Sequence, residues 1–176
     1  CAEWDPFGFD LDPDDFMVNV ALAAMCTTTG ETDKGLRLAR RAIELNPHAA
    51  DGHHMLGANL NAAVRPNEAI EALSDAWRLG RYEPLRYDIA NDLAWAHYMV
   101  EKYESALTWG RQGFSHNSEY LQLHLVLAAT YAQLGRLAEA RQAVAEMEAL
   151  GPELPEDLRV MLWKCTRELV HNVVMH

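Results

Sequence analysis

Apolar residues recur at helical spacing along most of the chain, in short segments separated by turn signals. The pattern predicts eight helices. The first opens on the acidic turn Asp12-Pro13-Asp14-Asp15, with Pro near the first helical position, and ends at Thr28-Thr29-Gly30. The second runs from about Thr32 to Leu45 and is stopped by Asn46-Pro47. The others are expected at about 49–63, 67–79, 86–100, 103–115, 119–133 and 137–150. After the break at Gly151-Pro152-Glu153-Leu154-Pro155, one more apolar face appears at Leu158, Leu162, Cys165, Leu169 and Val173. It predicts a ninth helix that caps the stack. Its tail, Val170, Val173, Val174 and Met175, frays or serves as a homodimer contact.

The helices come in pairs, and the pairs repeat. Leu22, Leu56, Leu93 and Leu127 are 34, 37 and 34 residues apart, and Gly35, Ala69, Ala106 and Ala140 show the same irregular spacing. Pro47 and Pro152 close the first and last units. Around the leucines the slots read Asn19, Leu22, Ala23, Cys26, then His53, Leu56, Gly57, Leu60, then Ala90, Leu93, Ala94, His97, then His124, Leu127, Ala128, Tyr131. Two registers with one shared irregularity identify a true period. The small residues let the two helices of a hairpin approach, the leucines fill the space between hairpins, and stacking supplies the core. Gly110 and Gly113, where a bulkier pair would pack better, predict a loose second helix in the third unit.

This pattern resembles the tetratricopeptide repeat, W-x2-L-G-x2-Y followed by A-x3-F and P, over about Phe16 to Pro152, although the Trp slot is never Trp. The resemblance implies an all-α, right-handed superhelix of four helix–turn–helix units plus the C-terminal cap. The expected division is an acidic, aromatic segment at 1–15, the repeats at 16–152 and the capping helix at 153–176. The aromatics Trp4, Phe7, Phe9 and Phe16 are expected to cover the first hairpin.

In such a fold the first helix of each pair lines the concave surface. Positions a quarter to a third of a turn from the packing slots then face a partner. They read Val20, Ala24, Thr27 in the first unit and Leu125, Ala129, Ala132 in the fourth, which are plain. The middle units are different, with His54, Ala58 and Asn61, then Asp88, Asn91, Trp95 and Tyr98. A binding groove is therefore expected at His54, Asn61, Asp88, Asn91, Trp95 and Tyr98. Trp and Tyr bury large area and keep a polar tip, and Asn offers a donor and an acceptor to a peptide backbone. The same aromatics packed on neighbouring helices are the competing reading.

Charge narrows the partner. The formal net charge of the 176 residues is −11, which opposes nucleic acid and anionic membrane surfaces. Glu3, Asp5, Asp10, Asp12, Asp14 and Asp15 precede the first base, Lys34. None of the groove positions is Lys or Arg, so a neutral or basic protein or peptide suits the field better than an anionic tail. No stretch approaches the roughly 18 apolar residues of a membrane span.

Nothing in the pattern points to chemistry. The eight histidines show no i, i+4 pair with a carboxylate between, and no nucleophile elbow, phosphate loop or paired-Cys motif occurs. No cofactor, metal or enzymatic activity is expected. Cys26 and Cys165 fall on apolar stripes and read as core thiols. The phrases Asn67-Glu68-Ala69-Ile70-Glu71-Ala72-Leu73, Glu83-Pro84-Leu85-Arg86-Tyr87, Leu93-Ala94-Trp95-Ala96-His97-Tyr98 and Leu134-Gly135-Arg136-Leu137-Ala138-Glu139-Ala140-Arg141 are similar to the C-terminal repeats of bacterial class III adenylate cyclases. That resemblance implies a cytoplasmic regulatory module whose catalytic domain lies elsewhere. The alternative is an exported tetratricopeptide lipoprotein or assembly factor anchored through Cys1 on the periplasmic side, suggested by Cys1-Ala2. The loop at 79–84, three residues longer than its counterparts, is the one irregular connection.

Overall fold

The computed structural model describes residues 12–80 and 86–150, and all regular structure among them is helical. Asp12, Pro13 and Asp14 form a turn ahead of the first helix rather than its first turn. Asp15 is the N-cap, and its side chain accepts from the Val18 amide at 2.9 Å. An Asp in extended conformation satisfies a free helix-start donor better than one inside the helix would. The helices are α1 (Phe16–Thr29), α2 (Thr32–Leu45), α3 (Ala50–Ala62), α4 (Pro66–Leu79), α5 (Arg86–Met99), α6 (Tyr103–His116), α7 (Leu121–Gln133) and α8 (Leu137–Leu150). Each sequence expectation is met to within a few residues. The expected capping helix, its dimer contact and the loop tip at 81–85 lie outside the described residues, as do Trp4, Phe7 and Phe9.

The chain divides into two compact units, at Arg81 and Tyr82. In the first, α1 packs on α2, α3 on α4, and α3 also on both α1 and α2. Ala23, Ala39, Ala42, Ala69, Leu73 and Ala76 are fully removed from solvent. The expected close approach is present at Gly57, where a Cβ would collide with the Leu73 side chain. A second close approach involves Asn59, which is completely buried. Its Nδ2 donates to the Ala23 carbonyl of α1 at 3.0 Å and to the Met55 carbonyl at 2.9 Å. Its Oδ1 sits where a Cβ on Gly35 would be. One amide thus fastens α3 to α1 while the glycine of α2 makes room for it.

In the second unit α5 packs on α6, α7 on α8, and α7 on both α5 and α6. The α6 helix is continuous, contrary to the looseness expected of Gly110 and Gly113. Both glycines are buried against α7. A Cβ at Gly110 would lie 2.8 Å from Leu127 Cδ2, and one at Gly113 would lie 2.7 Å from Leu123 Cδ2. The missing side chains are the seats for the leucines of the next hairpin.

The turns within the hairpins repeat a third register. Gly30, Val64, Glu101 and Gly135 all have positive φ, at 77°, 57°, 60° and 72°, and their spacing is again 34, 37 and 34. In the last three the following amide reaches back over the helix end. Arg65 donates to the Leu60 carbonyl at 2.9 Å, Lys102 to His97 at 3.0 Å and Arg136 to Tyr131 at 2.8 Å. This six-to-one bond needs a left-handed residue just before it.

Candidate functional site

The α5 helix carries four of the six candidate groove residues, at positions 88, 91, 95 and 98. This i, i+3, i+7, i+10 stripe places them along one side of the helix. That side faces α7. Ala94 of α5 with Leu123 and Val126 of α7 forms a core, and Tyr87, Trp95, Trp109 and Tyr120 pack against it while partly open to solvent. The rings meet edge to face. Tyr87 and Tyr120 have centroids 4.8 Å apart at 64°, Trp95 and Tyr98 5.5 Å at 78°, and Tyr98 and Tyr103 5.6 Å at 62°. Such pairs hold rings in fixed orientations at little entropic cost.

Polar groups sit at both ends of this aromatic wall. At the start of α5 the Tyr120 hydroxyl donates to Asp88 Oδ1 at 2.7 Å. Burial first, and the bonded Asp88 carboxylate next, push the Tyr120 phenol well above its ordinary range. At the end of α5 the Gln133 amide donates to the Tyr98 hydroxyl at 3.2 Å. Between them Asn91 is 4% exposed, and its buried Oδ1 has no hydrogen-bond partner among the described residues. An acceptor left in this state costs about 1–3 kcal/mol, so a donor that reached it would recover that energy. The arrangement can grip an apolar or aromatic side chain beside a hydrogen-bonding backbone. It offers no paired acid and base.

The other two candidates, His54 and Asn61, lie on α3 in the first unit. His54 is 5% exposed and Asn61 is half-buried. Tyr120 and Gln133 escaped the sequence reading because they come from the flanks of α7, not from the periodic stripe of α5. The helix expected at 119–133 includes both, but neither position recurs in the repeat slots, so no sequence signal marks them.

No protein-family model matches the chain, and no curated protein sequence matches it. Solved structures do. The MamA protein aligns over 92% of this chain and 94% of its own, at 17% identity and TM-score 0.64. YrrB, described as a TPR protein with an unusual peptide-binding site, aligns over 92% of this chain and 84% of its own, at 19% identity and TM-score 0.62. The fold is the tetratricopeptide one. The APC/C assembly Cut9–Hcn1 also matches, over 87% of this chain but 30% of the other, at 16% identity and TM-score 0.75.

The tetratricopeptide Trp slot explains its own departures. Asn19 Nδ2 donates to the Pro13 carbonyl at 2.8 Å. His53 Nε2 is 3.2 Å from the Pro47 carbonyl, and His124 Nε2 is 2.7 Å from the Ser118 carbonyl. In each case the acceptor lies six residues back, at the entry to the hairpin. A carbonyl only accepts, so Nε2 is the donor in both imidazoles. The fourth slot is Ala90, which has no group to make this bond. Three polar residues thus tie the entry chain down where the tetratricopeptide pattern has an indole. Among the described residues no group of three or more His, Cys, Asp or Glu could hold a metal ion, and no helix is long and apolar enough to cross a membrane.

Proposed function

We propose that this chain is a protein-interaction module whose second unit receives a neutral or basic peptide, or an extended segment of a partner, along the α5–α7 wall. The observation that carries the reading is the half-open aromatic strip of Tyr87, Trp95 and Tyr120 beside the buried, unpartnered Asn91 Oδ1. The carboxylates of Asp88 and Asp92, with the net charge of −11, favour a partner that brings positive charge. YrrB, a neighbour in fold, is a peptide binder by its description. The phrases around Leu93–Tyr98 and Leu134–Arg141 support a further step, that the module regulates a larger bacterial signalling protein such as a class III adenylate cyclase in the cytoplasm.

The test is a selection of displayed random peptides against the intact chain, followed by titration of the enriched sequences. Trp95→Ala with Asn91→Ala is expected to weaken them by tenfold or more, roughly what a hot-spot residue contributes, with helicity by circular dichroism unchanged. Equal binding to the wild type and the double variant would place the peptides elsewhere and remove the reading.

A further inference from the structure

The chain carries 26 acidic residues against 15 Lys and Arg, yet Arg111 of α6 has no ion pair among the described residues. Its side chain is exposed. Its Nε and Nη2 form the edge of a guanidinium that matches a carboxylate with two parallel bonds. Both point instead at one neutral oxygen, the Tyr131 hydroxyl of α7, each at 3.3 Å. That hydroxyl accepts from Arg111, and its own proton meets no acceptor among the described residues. A second guanidinium lies on the same ring. Arg136 Cζ is 4.9 Å from the Tyr131 ring centroid and Arg111 Cζ is 5.8 Å from it. Both distances suit a cation–π contact, but two like charges on one ring repel unless anions stand beside them. Arg136 has its anion: Nε and Nη2 donate to Glu139 Oε1 at 2.9 and 2.6 Å. Arg111 acts on Glu139 only through space. Donors therefore converge beside Tyr131 with no acceptor of matching charge.

Regular backbone fixes these groups. The α6 helix runs unbroken through Arg111, Tyr131 sits in the last turn of α7, and the Arg136 amide donates to the Tyr131 carbonyl at 2.8 Å across the hairpin turn. Donors held in place lose little freedom when a ligand arrives. Tyr131 lies about 140° round α7 from Val126 at 100° per residue, so this surface is separate from the α5–α7 wall. We propose that Arg111 and Tyr131 form a carboxylate-binding site on the α6–α7 edge, taking an Asp or Glu side chain from an acidic segment of a partner protein. The carboxylate replaces the phenol oxygen on the Arg111 fork and accepts the Tyr131 hydroxyl proton, with Arg136 against the ring. One negative charge suits the site. Glu139 and Glu104 both act on Arg136, so a doubly charged phosphate would meet two carboxylates already present. The net charge of −11 opposes such a partner at long range, but charges farther away than about 8 Å are largely screened at physiological salt.

Titration of the intact, isotope-labelled chain with a short acetylated oligoglutamate peptide tests the site, followed by NMR at the Arg111 Nε–H and the Tyr131 ring. Both signals are expected to move and saturate, and an oligoglutamine peptide of the same length should leave them in place. Arg111→Gln, at an exposed position, should weaken the oligoglutamate by about fivefold with helicity unchanged. Arg111→Lys should recover only part of that loss, because an ammonium has no fork. Tyr131→Phe, which keeps the ring and removes the hydroxyl proton, should weaken the peptide as well. Trp95→Ala with Asn91→Ala should leave its affinity unchanged, which separates this site from the peptide wall. Equal response to the two peptides would overturn the proposal, and so would full affinity in Arg111→Gln. Tighter binding of inorganic phosphate than of oligoglutamate at these two signals would overturn the assignment to a carboxylate.

Discussion

Four residues fill one left-handed slot in the hairpin turns, and they do not fill it equally well. Gly30 and Gly135 adopt positive φ without a Cβ penalty, whereas Val64 holds φ 57° with a β-branched side chain that is 75% exposed and gains little packing in return. A left-handed L-residue costs about 1–2 kcal/mol, partly offset by the extra unfolded-state freedom of glycine. Val64→Gly is therefore expected to raise the urea midpoint, by a stability gain of roughly 1 kcal/mol, and an unchanged or lower midpoint would contradict the strain. His97 offers a test of sign. Burial first, and Lys102 second, hold its imidazole below the ordinary value of 6.5, and its buried Nδ1 has no partner among the described residues. The unfolded chain then binds the proton more readily than the folded one. Stability is intact above the unfolded value and is lost as pH falls through it towards the folded one. Urea midpoints measured at about pH 7.5 and 5.5 should fall more steeply in the wild type than in His97→Gln. A third residue, Tyr120, closes the wall by donating to Asp88. Tyr120→Phe should cost about 1.5–3 kcal/mol, as expected for a hydrogen bond to a charged group, read from the same urea curves.

The eight described helices were legible in the sequence because their stripes, breakers and repeat spacing agree with one another. The first helix start was placed early because Asp12-Pro13-Asp14-Asp15 looks like an acidic first turn, and only the cap bond to Val18 shows that Asp15 stands outside the helix. Gly110 and Gly113 were misjudged for a different reason. The residues that need their space, Leu127 and Leu123, belong to the next hairpin, and how far one helix is rotated against another is not written in either helix alone. The site followed the same rule. Its α5 stripe was visible as a period, while Tyr120 and Gln133 enter only through the packing of α7 on α5. Gly113→Ala is the sharpest check on this packing. Its Cβ would meet Leu123 Cδ2 at 2.7 Å and Ala90 Cβ at 3.2 Å, so neither a core leucine nor the neighbouring helix can simply move aside. Alanine favours a helix interior by roughly 0.8–1 kcal/mol over glycine, yet the variant is expected to be destabilised, because overpacking costs about 1–3 kcal/mol. A stabilised variant would mean that α6 and α7 are farther apart than described.

At the scale of the whole molecule the chain is two units, and each has leucines fully removed from solvent: Leu73 in the first, Leu93 and Leu123 in the second. Repeat proteins gain stability from intrinsic terms and nearest-neighbour interfaces, so damage spreads only as far as its neighbours depend on it. Leu73 packs into the space left by Gly57 and is fully buried. Leu73→Ala should therefore remove about 2–5 kcal/mol, and most of that loss belongs to the first unit. Native-state hydrogen exchange is expected to show faster opening across α1 to α4 with most protection retained across α5 to α8, and Leu123→Ala the reverse. An equal fall across all eight helices in either variant would show that the two units unfold as one block. The asymmetric outcome has a functional consequence. The α5–α7 wall would stay folded while the first hairpins open, so the peptide capture proposed for the second unit is expected to survive loss of the N-terminal half.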